Sequence, residues 1–334
     1  MPLTGVYFIP SHPNSTTALA TITERLRAAF VDDDLVPVGR WSLEQKLMRD
    51  TPGLLPASAN SAQRPAKPRY MQFLSLTHYP HHGFIYASEP AEKPFHPPGA
   101  ASASPAGGAP ASASPPPTGP GPGTGATAVD SAAMVMTTVP PSAYGTLFQH
   151  FTYACQPFWC HRLTVAVPSG VVYDVGDFRV RLGDVRQTYP AARVRGTVVE
   201  IEWRGPSVVG SLPTNPDDAI VSEDADSGID VSFSAIEDAD IDAEYAATAS
   251  LIREFWGRLG LEGAREAILV PGVGKEVKER LRRYKSQPRH PSVSGTLSDE
   301  LAGVVGVSGA EDDPDPQAGA DVARQFMEVL RFNR

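Results

Sequence analysis

The chain has 334 residues, of which 33 are proline and 29 are glycine. Together they make up nearly a fifth of the sequence, against roughly an eighth in an average protein, so we expect ordered blocks separated by long loops. The two cysteines exclude the disulfide framework of a small secreted domain. No apolar run approaches the ~18 residues of a membrane-spanning helix, and Met1–Pro10 lacks the pattern of a signal peptide. These features are typical of an intracellular protein.

The formal net charge of the chain is −9, and most of the excess lies in one stretch. The segment from Asp217 to Glu244 holds 11 carboxylates and neither lysine nor arginine. The rest of the chain is close to neutral, so the charge balance indicates neither a phosphate-binding surface nor a uniformly acidic one.

Three segments have the composition of loops rather than of a packed core. Residues 89–143 consist mainly of Pro, Ala, Gly and Ser, and their few large apolar side chains cannot offset an ordering entropy of roughly 1–2 kcal/mol per residue. We therefore predict a disordered insertion there, an acidic loop over residues 205–243, and a second disordered segment over residues 286–320. The ordered parts of the single remaining domain are then residues 1–88, residues 144–285 and a C-terminal helix over residues 321–334.

The N-terminal block predicts strands and one amphipathic helix. Gly5–Ile9 is a β-prone run, and a helix follows with Leu19, Ile22, Leu26 and Phe30 on one face. Two further runs, Tyr70–Leu76 and Gly83–Ala87, flank a turn and predict a hairpin. After the insertion, apolar residues at helical spacing from Tyr144 to Cys155 predict a helix that Pro157 limits.

A second hairpin is the strongest strand signal in the chain. Apolar and arginine side chains alternate in Asp177–Gly183, and apolar and glutamate side chains alternate in Arg195–Arg204. A turn centred on Pro190–Ala191 pairs Phe178 with Trp203 and Val180 with Ile201 on one face, and Arg179 with Glu202 and Arg181 with Glu200 on the other. A slip of one residue would place arginines opposite apolar side chains, so both faces specify the same register.

Three amphipathic helices are predicted in the C-terminal block. The first carries a broad stripe that includes Tyr245, Ile252 and Trp256, the second is a short basic helix, and the third carries Val322 and Val329 on one side. The sequence as a whole therefore predicts an α+β fold, with antiparallel strands and flanking helices.

Only one group of residues has the composition of a reactive site. Cys155, Cys160 and His161 lie close together in the sequence, but a zinc site needs four ligands, and the other histidines supply no second spaced pair. Partly buried structural thiols are the favoured interpretation. A Cys–His nucleophile stays open, although no flanking signature supports it.

The basic helix over residues 275–285 has two interpretations. Its lysines and arginines could contact nucleic acid or act as a nuclear import signal. Glu276 and Glu279 are spaced to pair with Arg280 and Arg283, which favours a solvated helix face. The acidic loop is likewise either a solvated loop or an interaction segment of the acidic–hydrophobic type.

Several segments of the chain resemble one known family. In order they read MPLTGVYFIP, GRWSLEQKLMRDT, RYMQFLSLTHYP with HGFIYA, GTLFQHF, DVGDFRVRLGDVR, RVRGTVVEIEW, SLIREFW and DVARQFMEVLRF. This series resembles the Mediator subunit 20 family, the TATA-binding-protein-related subunits of the RNA polymerase II Mediator complex, in a filamentous-fungal form. The most specific part is the second hairpin, with Asp177, Phe178, Val180, Gly183, Arg195, Gly196, Val199, Glu200, Glu202 and Trp203.

The resemblance implies a curved, barrel-like antiparallel sheet flanked by helices, with long disordered insertions. It also implies a non-enzymatic nuclear coregulator in the Mediator head module, which links regulators to RNA polymerase II and needs no cofactor, metal or small-molecule substrate. The partners implied are Mediator subunit 18, as a heterodimer, and a C-terminal helix of subunit 8. Direct DNA binding is not implied, since a DNA saddle needs a basic concave surface and the hairpin arginines are offset by glutamates.

A partner interface of this kind needs an exposed apolar strip. We predict that Phe326 and Leu330 of the terminal helix, together with Leu251 and Phe255, contribute to it. The alternative function is a nucleic-acid-binding module that uses the basic helix over residues 275–285.

Overall fold

The antiparallel sheet expected from the sequence consists of nine strands in the described part of the chain. The computed structural model describes residues 3–11, 17–31, 35–51, 69–88, 134–211, 236–286 and 319–331. The strands are β1 (Leu3–Pro10), β2 (Pro37–Asp50), β3 (Tyr70–Leu76), β4 (Gly83–Ser88), β5 (Met134–Val139), β6 (Trp159–Val175), β7 (Phe178–Tyr189), β8 (Arg193–Trp203) and β9 (Arg265–Ala267). They are ordered β5-β4-β3-β2-β6-β7-β8-β1-β9, so β5 and β9 are the edges of an open sheet.

Helices cover both faces of this sheet. They are α1 (Leu19–Ala29), α2 (Pro141–Gln149), α3 (Val208–Ser211), α4 (Asp238–Arg258), α5 (Lys275–Ser286) and α6 (Ala320–Val329), and α2 continues into a π-helical turn at His150–Ala154. The fold is therefore α+β, as the sequence predicts.

The fold differs from the sequence prediction in the bounds of two predicted loop segments and in two long strands. Strand β5 lies inside the stretch predicted to be disordered up to residue 143, because pairing with β4 supplies the order that its composition does not indicate. Helix α4 begins inside the predicted acidic loop, where Glu237 and Asp240 form a capping box. Strands β2 and β6 were not predicted, since bulges interrupt their pairing and their alternation. Most of the predicted disordered segments lie outside the described residues.

The sheet curves around the terminal helix α6. This helix packs against β1 and β9 at one end of the strand order, while Phe326 lies 5.9 Å from the ring of Trp41 on β2. The turn after β3 also places His78 Nε2 3.4 Å from Glu200 Oε2 on β8. Contacts between strands so far apart in the order require a curved sheet, which confirms the expected barrel-like shape, although the sheet does not close.

The remaining helices pack on the outer, convex face. Helices α1 and α4 cover β7, β8 and β1, where Tyr7 and Trp256 stack at 4.1 Å. Helix α2 covers β2–β4, where the rings of Phe73 and Phe148 lie 5.5 Å apart. A smaller cluster at the end of β1 and β8 joins α3, α4 and α5 through Leu3 and other buried side chains.

The β7–β8 hairpin has the register expected from its alternating side chains. Phe178 lies opposite Trp203, Val180 opposite Ile201, Arg179 opposite Glu202 and Arg181 opposite Glu200. The expected ion pair of Arg181 with Glu200 is present at 2.7 Å. Arg179 pairs with Asp174 instead of Glu202, at 2.7 Å, and Glu202 pairs with Arg181 at 2.7 Å. Asp174 lies on β6, directly beside Arg179, and a pattern within one hairpin does not show that neighbour.

Arg181 and Glu200 lie on the concave face, beneath the turn that carries His78, and both are buried. Burial alone would raise the pKa of Glu200, but the charges of His78 and Arg181 hold that pKa below its usual range. Glu200 Oε1 accepts a hydrogen bond from Arg181. Glu200 Oε2 has no hydrogen-bond partner among the described residues and lies 3.4 Å from His78 Nε2. The carboxylate is thus held ionised in the interior of the fold.

Replacing Phe326 with alanine should destabilise the protein by about 3–5 kcal/mol, because the side chain is fully buried between α6 and the sheet. Chemical denaturation measures the change. The matched variant Leu251→Ala, on the exposed side of α4, should change stability by no more than about 0.5 kcal/mol. Equal effects of the two variants would contradict this packing.

Glu200→Gln should cost about 3 kcal/mol near pH 7, because it leaves the buried Arg181 short of one carboxylate. The folded-state pKa of Glu200 is depressed, so its stabilisation is complete above the unfolded pKa of about 4.3 and is lost as the pH falls through the folded value. Urea denaturation from pH 7 to pH 3 should therefore show the two proteins converging in stability. The surface variant Glu254→Gln is the control, and a pH-independent difference for Glu200→Gln would contradict the assignment.

Candidate functional site

Three of the four side chains predicted to form a partner interface belong to the chain's own core. Phe326 and Leu330 pack into the concave face of the sheet, and Phe255 packs between α4 and the outer face. Only Leu251 is exposed, at 38%. The helical periodicity correctly identified an apolar stripe, but a stripe does not show whether a partner or the chain's own sheet covers it. In the isolated chain these three side chains are therefore covered by the chain itself, and their part in an interface stays a prediction.

Polar contacts also hold α6 in place. The carboxylate of Asp321 accepts hydrogen bonds from Tyr245 Oη at 2.7 Å, from the Gly274 N–H at 3.1 Å and from Arg324 Nη1 at 3.0 Å. Burial raises the pKa of Asp321, and these donors partly oppose the rise. Arg324 also forms a bidentate ion pair with Glu276 on α5. This network joins α4, α5 and α6, so α6 is a fixed part of the domain.

A glutamine extends this attachment to the sheet. Gln325 Oε1 accepts a hydrogen bond from Thr4 Oγ1 at 2.7 Å. Gln325 Nε2 donates to the carbonyl oxygens of Thr4 and Ile268. The sequence offers a weak signal for these polar residues, because they interrupt an amphipathic helix at positions facing the sheet.

The basic helix α5 is largely neutralised within the chain. Lys278 Nζ lies 2.5 Å from Asp242, Arg282 pairs with Asp238, and Arg283 pairs with Glu279 at 2.6 Å. Asp238 and Asp242 belong to the first turns of α4. The predicted i,i+4 pair of Glu279 with Arg283 is confirmed, and the structure adds partners from a neighbouring helix that spacing along α5 does not indicate.

The Cys155, Cys160 and His161 group has the surroundings of a structural site. Both thiols are half-buried and unoxidised. His161 Nε2 lies 2.8 Å from Thr164 Oγ1, and its ring stacks on Tyr189 at 4.3 Å. Burial lowers the pKa of His161. Within the described ranges, no three His, Cys, Asp or Glu side chains are placed to hold a metal ion.

The exposed aromatic side chains were missed by the sequence analysis. Tyr153 and Phe158 lie at the π-helical turn and just after it, and Tyr189 lies at the end of β7. The sequence marks Phe158 and Tyr189 only by their position beside Pro157 and Pro190, where regular periodicity stops, and it gives no signal for Tyr153. In the described part of the chain, every helix is too short or too polar to cross a membrane.

Comparison with solved structures finds distant likenesses. The PH1819 protein from Pyrococcus horikoshii OT3 aligns over 78% of this chain and 93% of its own, at 12% identity and a TM-score of 0.28. A putative adenylate cyclase from Vibrio parahaemolyticus aligns over 63% of this chain and 81% of its own, at 8% identity and a TM-score of 0.23. TM-scores this low do not establish a shared fold. No curated protein matches the sequence.

Comparison with protein families gives a match over almost the entire sequence. Residues 1–331 match the family described as TATA-binding related factor (TRF) of subunit 20 of Mediator complex. The match includes the β7–β8 hairpin and the terminal helix, the two elements around which the curved sheet is organised. The chain therefore belongs to the Mediator subunit 20 family, whose members act in transcription regulation by assembling with other subunits of the Mediator complex.

Proposed function

We propose that this protein is a non-enzymatic coregulator of the Mediator head module, working in the nucleus to link regulators to RNA polymerase II. In this proposal it forms a heterodimer with Mediator subunit 18, and the C-terminal helix of subunit 8 binds to that pair. The observation that carries the proposal is the family match over residues 1–331.

The shape of the domain supports assembly with proteins rather than binding of DNA in the manner of a saddle. A saddle needs a basic concave surface with side chains free to enter the minor groove. Here the concave face is occupied by α6, and its Arg181 is buried in ion pairs with Glu200 and Glu202. The convex face, the helices and the sheet edges are then the surfaces that can contact other macromolecules.

Leu251 is the one predicted interface residue whose side chain is available to a partner. It lies on the outer side of α4, opposite the buried Ile252, Phe255 and Trp256 that attach this helix to the sheet. Helix α4 is thus anchored on one side and open on the other, so we propose that the open side contributes to the interface.

The chain should co-purify with subunit 18 as a 1:1 complex when the two are co-expressed, and the C-terminal helix of subunit 8 should add to it. Leu251→Asp should weaken the complex about tenfold, because a carboxylate would have to be desolvated at the interface. Isothermal titration or size-exclusion chromatography measures the effect. The matched control is Val31→Asp, which alters an aliphatic side chain 79% exposed at the end of α1. A chain that stays monomeric beside subunit 18 would overturn the heterodimer.

The alternative function, a nucleic-acid-binding module based on residues 275–285, predicts affinity that falls steeply with salt. Because Lys278, Arg282 and Arg283 already have carboxylate partners, we expect no measurable binding to duplex DNA between 50 and 200 mM salt. A protein that makes about six phosphate contacts would lose roughly 10³-fold in affinity over this range. Fluorescence anisotropy with labelled DNA tests this. Salt-dependent binding abolished by Lys278→Glu would favour the alternative instead.

A further inference from the structure

Positive charge and apolar surface occur together at the turn end of the β7–β8 hairpin. We define the arginine tip as Arg186, Tyr189, Arg193, Val194 and Arg195. Arg186 lies directly opposite Val194 in the hairpin register, and Arg193 lies opposite Gln187. The tip lies at the far end of the hairpin from Phe178 and Trp203, and residues 188–194 are all exposed.

Two guanidinium groups at the tip differ in their partners from the arginines that hold the hairpin and the terminal helix in place. Among the described residues, no carboxylate forms an ion pair with Arg186 or Arg193, whereas Arg179, Arg181 and Arg324 are all paired. The nearest carboxylate along β7, that of Asp184, accepts hydrogen bonds from the hydroxyls of Thr17 and Thr197. Arg186 and Arg193 therefore carry positive charge that no carboxylate in the described ranges neutralises.

Gln187 orders two of these side chains. Its Oε1 accepts hydrogen bonds from Arg193 Nε at 3.0 Å and from Arg195 Nε at 2.8 Å, and its Nε2 donates to the carbonyl of Ala191. One neutral oxygen thus holds two cations side by side. Burial lowers the pKa of Arg195, and the charge of Arg193 lowers it further.

Apolar side chains also lie at the tip, where Val194 stands opposite Arg186. Tyr189 and Val194 are each 44% exposed, and Tyr189 is supported from beneath by stacking on His161. A ring held by such stacking loses little conformational freedom when a ligand packs against it. The tip therefore offers bidentate donors for carboxylates next to a fixed aromatic surface.

We propose that the arginine tip binds an acidic segment of another protein, in which carboxylates alternate with large apolar side chains. The guanidinium groups of Arg186 and Arg193 pair with carboxylates, while Tyr189 and Val194 contact the apolar side chains. Arginine also suits phosphate, but the tip has three arginines, fewer than the roughly six or more phosphate contacts on which tight nucleic-acid binding depends.

The acidic residues between Ser211 and Ile236 could occupy the tip only if their segment extended almost fully. The 24 residues between Ser211 and Ile236 start and end beside the Leu3 and Trp203 end of the hairpin. Strand β8 has 11 residues, so at ~3.3 Å per residue the tip lies about 33 Å away. An excursion there and back takes about 66 Å of the roughly 80 Å that 24 fully extended residues span. A segment supplied by a second protein meets no such restriction.

The test uses the full chain and a labelled synthetic peptide in which glutamates alternate with phenylalanine and leucine. Fluorescence anisotropy should show saturable binding, and Arg186→Glu with Arg193→Glu should weaken it about tenfold or more. A peptide with glutamines in place of its glutamates should bind as weakly as the double variant does to the acidic peptide. Tyr189→Ala should weaken binding without changing its dependence on salt, because it removes an apolar contact only.

The matched control is the double variant Arg25→Glu with Arg27→Glu, which makes the same charge change on the exposed side of α1. It should change peptide affinity less than about twofold, since long-range charge effects on exposed groups are screened by salt. Circular dichroism confirms that each variant is folded. Equal losses in the two double variants, or no binding of the acidic peptide, would overturn the proposal, and tighter binding of single-stranded DNA lost in the tip variant would replace it with a nucleic-acid site.

Binding of an acidic segment at the arginine tip does not depend on which Mediator subunits bind the chain. The tip lies at the end of the hairpin remote from the start of α4, and the peptide experiment uses no other Mediator subunit. Loss of peptide binding with retained co-purification counts against the tip alone. Loss of co-purification with retained peptide binding counts against the heterodimer alone.

Discussion

Burial of the apolar side of α6 in the concave face of the sheet is the interaction on which the rest of the structure depends. Strands from both ends of the order reach this one helix, through β1 and β9 on one side and through Trp41 on the other. An open sheet of this size has no backbone pairing between its edges, so side-chain packing must hold it in a curved shape. The Asp321 network then ties the same helix to α4 and α5.

Filling the concave face has a direct consequence for function. The chain's own core covers the concave surface that a saddle-shaped protein would offer to DNA. On that surface Arg181 and Glu200 pair with each other, and Glu200 contacts His78 in the turn between β3 and β4. What remains for partners is the outside of the domain: the open side of α4 around Leu251 and the turn end of the β7–β8 hairpin.

The parts of the fold that the sequence predicts well are those whose pattern constrains two faces at once. In the β7–β8 hairpin, apolar pairs and ion pairs both require the same register, and Phe178 indeed lies opposite Trp203. Strands β2 and β6 were missed because bulges shift their side chains from one face to the other. The partner of Arg179 was also missed, since Asp174 comes from a third strand.

The sequence by itself determined the α+β class, the hairpin register, the amphipathic helices and the family, because each of these depends on local periodicity or on a run of specific residues. Only the tertiary structure decided that Phe326 and Leu330 face the chain's own sheet, and that no carboxylate in the described ranges pairs with Arg186 or Arg193. An amphipathic stripe or a charge has the same local pattern whether a partner, solvent or the rest of the chain covers it. Which of these covers it depends on segments hundreds of residues apart, such as Thr4 and Gln325, and these meet only when the sheet curves.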